Sequence, residues 1–95
     1  MISKALKDEI LEKVTSSVNP LKIYLFGSYA YGTPDLNSDL DLAVIMRVVS
    51  SKHNESVKLY KILSGINLPK DIIVSTIEEF DFYKHEPGSV FKTIN

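Results

Sequence analysis

The residues best suited to chemistry in this 95-residue chain are aspartates. Asp39 and Asp41 stand two apart in Ser38-Asp39-Leu40-Asp41-Leu42-Ala43-Val44. On a strand, positions i and i+2 share a face, with Cα atoms roughly 6.5 to 7 Å apart. Two carboxylates held this way repel and desolvate each other unless a cation sits between them. The chain has no Cys, and His53 and His85 lie in charged stretches remote in sequence from the pair, so neither is assigned a ligand role. Oxygen-only ligation selects a hard ion, Mg²⁺ with Mn²⁺ as a possible substitute, which keeps waters and accepts phosphate oxygens. Gly27-Ser28 ends the apolar run Ile23-Tyr24-Leu25-Phe26. A glycine there lets backbone amides approach an anion, and the Ser28 hydroxyl can donate to a phosphate oxygen. A phosphate cradle beside a Mg²⁺-binding pair describes a nucleoside triphosphate site. Asp71 heads a further apolar run, Ile72-Ile73-Val74, and is the best-placed remaining acid to complete a two-metal site.

These groups need elements to carry them. Ile2, Ala5, Leu6, Ile10, Leu11, Val14 and Val18 recur at steps of three and four, which predicts an amphipathic helix ending near Asn19-Pro20. Strands are expected over 23–26, about 39–46 and 71–74. The second is apolar on both faces (Leu42, Ala43, Val44, Ile45), as in a central strand. Ser50-Ser51 can cap a helix over roughly 52–64, with Val57, Leu59, Tyr60, Ile62, Leu63 and Ile66 forming a broad apolar face. Two overlapping boxes, Ser75-x-x-Glu78 and Thr76-x-x-Glu79, open a helix that ends before Pro87, and the tail 88–95 is expected to hold one more helical turn. Tyr29 to Gly32 has room for a short helical turn only. The Phe80, Phe82, Tyr83 group reads as helix packing or as a partner surface.

Topology follows from requiring the groups to meet. Gly27-Ser28 lies at the C-terminal end of strand one and Asp39/Asp41 at the N-terminal start of strand two, so these strands must be antiparallel. Asp71 begins strand three, so strands two and three must be parallel, with the helix over 52–64 as their crossover. The expected fold is α/β (α+β), a mixed three-stranded sheet in the order 1-2-3 with helices packed on it, in a single domain over residues 1–95.

Composition narrows the function. The 11 Lys+Arg against 12 Asp+Glu give a net charge of -1, which argues against a domain that carpets a nucleic-acid backbone. That total conceals a window, residues 23–46, with three acids (Asp35, Asp39, Asp41) and no Lys or Arg. No apolar run approaches the ~20 residues needed to span a bilayer, and the charged start is not a signal core. A soluble cytoplasmic protein is expected, with no membrane and no direct nucleic-acid partner.

Gly27-Ser28, ten residues, then Asp39-x-Asp41 resembles the signature of the nucleotidyltransferase superfamily related to DNA polymerase β, and the small size looks like its minimal nucleotidyltransferase branch. The resemblance runs over about residues 22–91, with Asp71-Ile72-Ile73-Val74 matching the strand of the third carboxylate. It implies transfer of a nucleoside monophosphate, AMP from ATP above all, to a hydroxyl. It implies that Gly27 and Ser28 hold the β- and γ-phosphates and that Asp39 and Asp41 bind two Mg²⁺ ions. Asp71 is implied to bind the metal that activates the acceptor, and is a candidate for taking its proton. Members of this branch commonly serve as antitoxins of HEPN-domain ribonuclease toxins, some by adding AMP to a toxin tyrosine.

Two departures stand out. Tyr31 occupies a position where the branch often has a basic residue; Lys22, Arg47 and Lys70 are the nearest cations in sequence to compensate. The family also tends to continue past the equivalent of Phe91-Lys92 into a Gly-containing segment and an apolar strand. The alternative to an enzyme is a non-catalytic antitoxin that neutralises a HEPN ribonuclease by forming a complex with it.

Overall fold

The computed structural model describes residues 3–26, 39–83 and 92–93. Helix α1 (Lys4–Ser17) starts where the Ser3 side chain accepts the Leu6 amide at 3.2 Å, and it stops at Val18, two residues before Pro20. Strand β1 (Lys22–Phe26) follows, then β2 (Leu40–Met46). Helix α2 (Lys52–Ile62) is capped by Ser51, whose hydroxyl accepts the Asn54 amide at 3.2 Å. Strand β3 (Lys70–Thr76) leads directly into α3 (Ile77–Tyr83), and β4 (Lys92–Thr93) closes the order.

The sheet order is β3-β2-β1-β4. β1 is antiparallel to β2 with Phe26 opposite Asp41, and β2 is parallel to β3 with Asp41 beside Asp71. The expected mixed 1-2-3 sheet is therefore present, with one strand added. That strand corrects the expectation for the tail: Lys92 and Thr93 are not helical but pair antiparallel with Leu25 and Tyr24. The free edge of β1, distant in sequence, supplies hydrogen bonds that local helix propensity cannot reveal.

β2 is central, and alternation along it divides the apolar residues. Leu40, Leu42 and Val44 join Ile23, Leu25, Ile72 and Val74 under α1 and α2, where Ile10, Val14, Leu59, Leu63 and Ile66 complete the main core. Ala43 and Ile45 face the other way, toward Phe80 of α3, with Tyr24, Phe26 and Ile77 around them. The Tyr24 and Phe80 rings stack, centroids 4.5 Å apart. The broad face predicted for α2 is narrower than expected. Leu59 and Leu63 are buried, whereas Val57 and Tyr60 are 39% and 40% exposed, because only one face of α2 meets the sheet. Of the two capping boxes, the Thr76 one forms: Thr76 Oγ1 accepts the Glu79 amide at 3.3 Å, and Glu79 Oε1 accepts the Thr76 amide at 3.2 Å. Among the described residues no helix is long and apolar enough to cross a membrane.

Candidate active site

Alternation puts Asp41, Ala43 and Ile45 on the same face of β2, the face opposite the main core, and the parallel register puts Asp71 and Ile73 beside Asp41 and Ala43 on that face. Cα atoms of laterally paired residues lie about 4.8 Å apart. Asp39 comes one residue before the strand begins. Three acids thus share one end of the sheet, Asp41 half-buried, Asp39 and Asp71 exposed. Burial raises the Asp41 pKa above its ordinary 3.8, and the negative charges of Asp71 and then Asp39 raise it further. The described ion pairs are Lys13–Glu9, Lys52–Glu79 and Lys58–Glu55, and none involves these acids.

β1 ends at Phe26, opposite Asp41, so the chain leaves β1 at this same end. Gly27 and Ser28 lie outside the described residues, as do Tyr29, Tyr31 and Asp35.

The cations expected to compensate are not at this site. Lys22 pairs with Ile45, four residues from Phe26 along β1 and so about 13 Å from the acids. Arg47 follows Met46 and lies at that same far end. Lys70 is at the acidic end, but it alternates to the face opposite Asp71, and its Nζ donates to the Leu68 carbonyl at 2.9 Å. Sequence distance favoured these three residues; strand direction and alternation remove them.

Among the described residues no three acidic or imidazole side chains form a group that holds a metal unaided. The donor set nevertheless suits Mg²⁺, which is usually held by one or two carboxylates together with phosphate oxygens and water. A divalent cation would also offset the repulsion from Asp71 and Asp39 that adds to the effect of burial on Asp41. Tyr60 is a contact that periodicity does not disclose: it reads as one more apolar position of α2, yet its hydroxyl accepts the Ile72 amide, next to Asp71, at 3.0 Å.

A mixed sheet whose central and third strands bring three aspartates to one end, beside the exit of the first strand, is the framework of a nucleotidyltransferase domain. The chain belongs to that family, whose model matches residues 4–94. A Methanocaldococcus jannaschii protein, provisionally named a protein adenylyltransferase, is 38% identical over 56 residues, 59% of this chain and 56% of its own length. The chain thus aligns with little more than half of that relative. A solved structure of a provisionally assigned nucleotidyltransferase from Sulfolobus solfataricus has a TM-score of 0.66 at 27% identity, covering 92% of this chain and 76% of the other. A toxin–antitoxin structure with AMP-PNP has a TM-score of 0.69 at 22% identity, covering 94% and 72%, a likeness of fold.

Proposed function

We propose that this protein is a Mg²⁺-dependent nucleotidyltransferase that moves AMP from ATP to a hydroxyl, a tyrosine of a partner HEPN toxin, and so acts as an antitoxin. The observation that carries the reading is the register: Asp41 beside Asp71, with Asp39 two residues upstream. The relative named for protein adenylyl transfer supports a protein acceptor, and a toxin–antitoxin structure of the same fold is described with AMP-PNP.

In this mechanism the acceptor oxygen attacks the α-phosphorus in line. The new P–O bond forms as the bond to the β-phosphate oxygen breaks, and pyrophosphate leaves. Asp39 and Asp41 would hold two Mg²⁺ ions and Asp71 one of them, and these ions would neutralise charge on the attacking and leaving oxygens. Gly27 and Ser28 would cradle the β- and γ-phosphates, and Asp71 would take the acceptor proton. Holding donor and acceptor in line supplies much of the acceleration.

The test incubates the protein with α-labelled ATP, Mg²⁺ and a HEPN partner. Label should appear on the partner with the wild type and not with Asp39→Asn/Asp41→Asn; no label in either case, or equal label in both, rejects the reading. The non-catalytic antitoxin gains support from one observation, that none of the three expected cations faces the acids. Toxin neutralisation undiminished in the double variant would favour it.

A further inference from the structure

Among the described strands β3 is an edge of the sheet. The Leu40 amide donates to the Pro69 carbonyl at 2.8 Å while Leu40 pairs with Lys70, and this sets the phase of the parallel ladder. In that phase the amides of Asp71, Ile73 and Ser75 point to β2, and those of Ile72, Val74 and Thr76 point outward. Two of the outward amides are met by side chains: Thr76 N–H donates to Glu79 Oε1, and Ile72 N–H donates to the Tyr60 hydroxyl.

The Tyr60 bond acts on one peptide plane. The same ladder makes the Asp71 carbonyl an acceptor from the Leu42 amide. The carbonyl of Asp71 and the amide of Ile72 belong to one rigid planar unit and point in opposite directions. That unit is gripped from both sides, by β2 through the carbonyl and by Tyr60 of α2 through the amide. A peptide on a sheet edge is otherwise held on one side only and is free to tilt. Its tilt sets the direction in which the Asp71 side chain leaves the backbone.

We propose that Tyr60 is a positioning residue for Asp71, fixing the carboxylate's direction by clamping the Asp71–Ile72 peptide. This rests on the reading that Asp71 holds a metal ion. Groups that orient metal ligands typically change metal affinity or activity by about 10- to 100-fold when removed, and a contact relayed through backbone belongs at the low end of that range.

The test is a double-mutant cycle on Tyr60→Phe, which keeps the ring and deletes the hydroxyl, and Asp71→Asn. Mn²⁺ is titrated in the presence of AMP-PNP. Tyr60→Phe should weaken Mn²⁺ binding by roughly 10-fold, leave AMP-PNP affinity without metal unchanged, and speed hydrogen exchange at the Ile72 amide. In the Asp71→Asn background the same change should have no further effect on Mn²⁺, because the carboxylate it aims is gone. In turnover, the Mg²⁺ needed for half-maximal rate should rise while the KM for ATP stays put. Full additivity, or unchanged Mn²⁺ affinity in Tyr60→Phe while Asp71→Asn weakens it, overturns the positioning role and leaves the metal site standing. Unchanged affinity in Asp71→Asn itself rejects the assignment of Asp71, and the inference with it.

Discussion

The two ends of the sheet treat their acids in opposite ways. At the end where β2 and β3 begin, Asp39, Asp41 and Asp71 gather, and their nearest lysine in sequence, Lys70, is turned away and bound to the Leu68 carbonyl. At the other end Glu79 is hydrogen-bonded by Thr76 and paired with Lys52, with Lys22 and Arg47 also at that end. The pKa values record the contrast. Asp41 is raised by burial and by its acidic neighbours, while Glu79 is lowered by the Lys52 and Thr76 hydrogen bonds. Of the described ion pairs, one falls on an acid at the second end and none on the three aspartates at the first. The end whose acids have no ion pair among the described residues is the one at which the proposed function puts a cation and a phosphate chain, and perturbed carboxylates cluster at functional sites.

The largest effect should come from erasing the acidic end. Asp39→Asn/Asp41→Asn is expected to lower AMP transfer by at least about 10³-fold, since losing even one partner of the reacting charge costs roughly 10²- to 10³-fold; circular dichroism should show the fold retained. The same acids should also burden the metal-free protein. Because the folded pKa of Asp41 lies above its unfolded value, its penalty is absent below about pH 3.8, grows as pH rises through the folded value, and persists above it. Asp41→Asn should therefore melt above the wild type near neutral pH without divalent ions, by a margin that closes as pH falls. Mn²⁺ with AMP-PNP, at 100 times its dissociation constant, should stabilise the wild type by about 2.7 kcal/mol and the variant far less.

At the paired end the effects are smaller and of opposite sign. Thr76→Ala breaks the capping box and should cost about 1 kcal/mol in denaturant unfolding. Glu79→Gln should destabilise less, because that contact is exposed and screened by salt. The contribution of Glu79 is present above its ordinary pKa of 4.5 and is lost as pH falls through its lowered folded value. The gap between variant and wild type should close in acid, the same direction of closure as for Asp41→Asn but with the wild type the more stable of the pair.

Much of the site's framework is legible in the residues. Requiring Gly27-Ser28, Asp39-x-Asp41 and Asp71 to meet is enough to orient the three strands, because a strand has only two directions and two faces. Strand ends agree to within a residue or two, and β3 runs on to Thr76 because the residue that caps α3 also finishes the strand. Three features depend on non-local geometry. β4 forms because β1 has an edge to offer at Tyr24 and Leu25. The placement of Lys22 and Arg47 far from the acids follows from the antiparallel turn-back, which puts the borders of the acidic window at the far end of the sheet. The Tyr60 bond needs the crossover helix set against a particular outward amide, a detail that helical spacing does not carry. Gly27 and Ser28, the proposed phosphate cradle, lie outside the described residues and rest on their sequence motif alone.

The central claim is that the acidic end holds divalent ions together with a nucleotide. Titrating Mn²⁺ into the protein with AMP-PNP, followed by the loss of free-ion paramagnetic resonance signal, measures this directly. Saturable uptake of two ions by the wild type, lost in Asp39→Asn/Asp41→Asn, is the predicted result; equal uptake by both proteins, or none by the wild type, would contradict it.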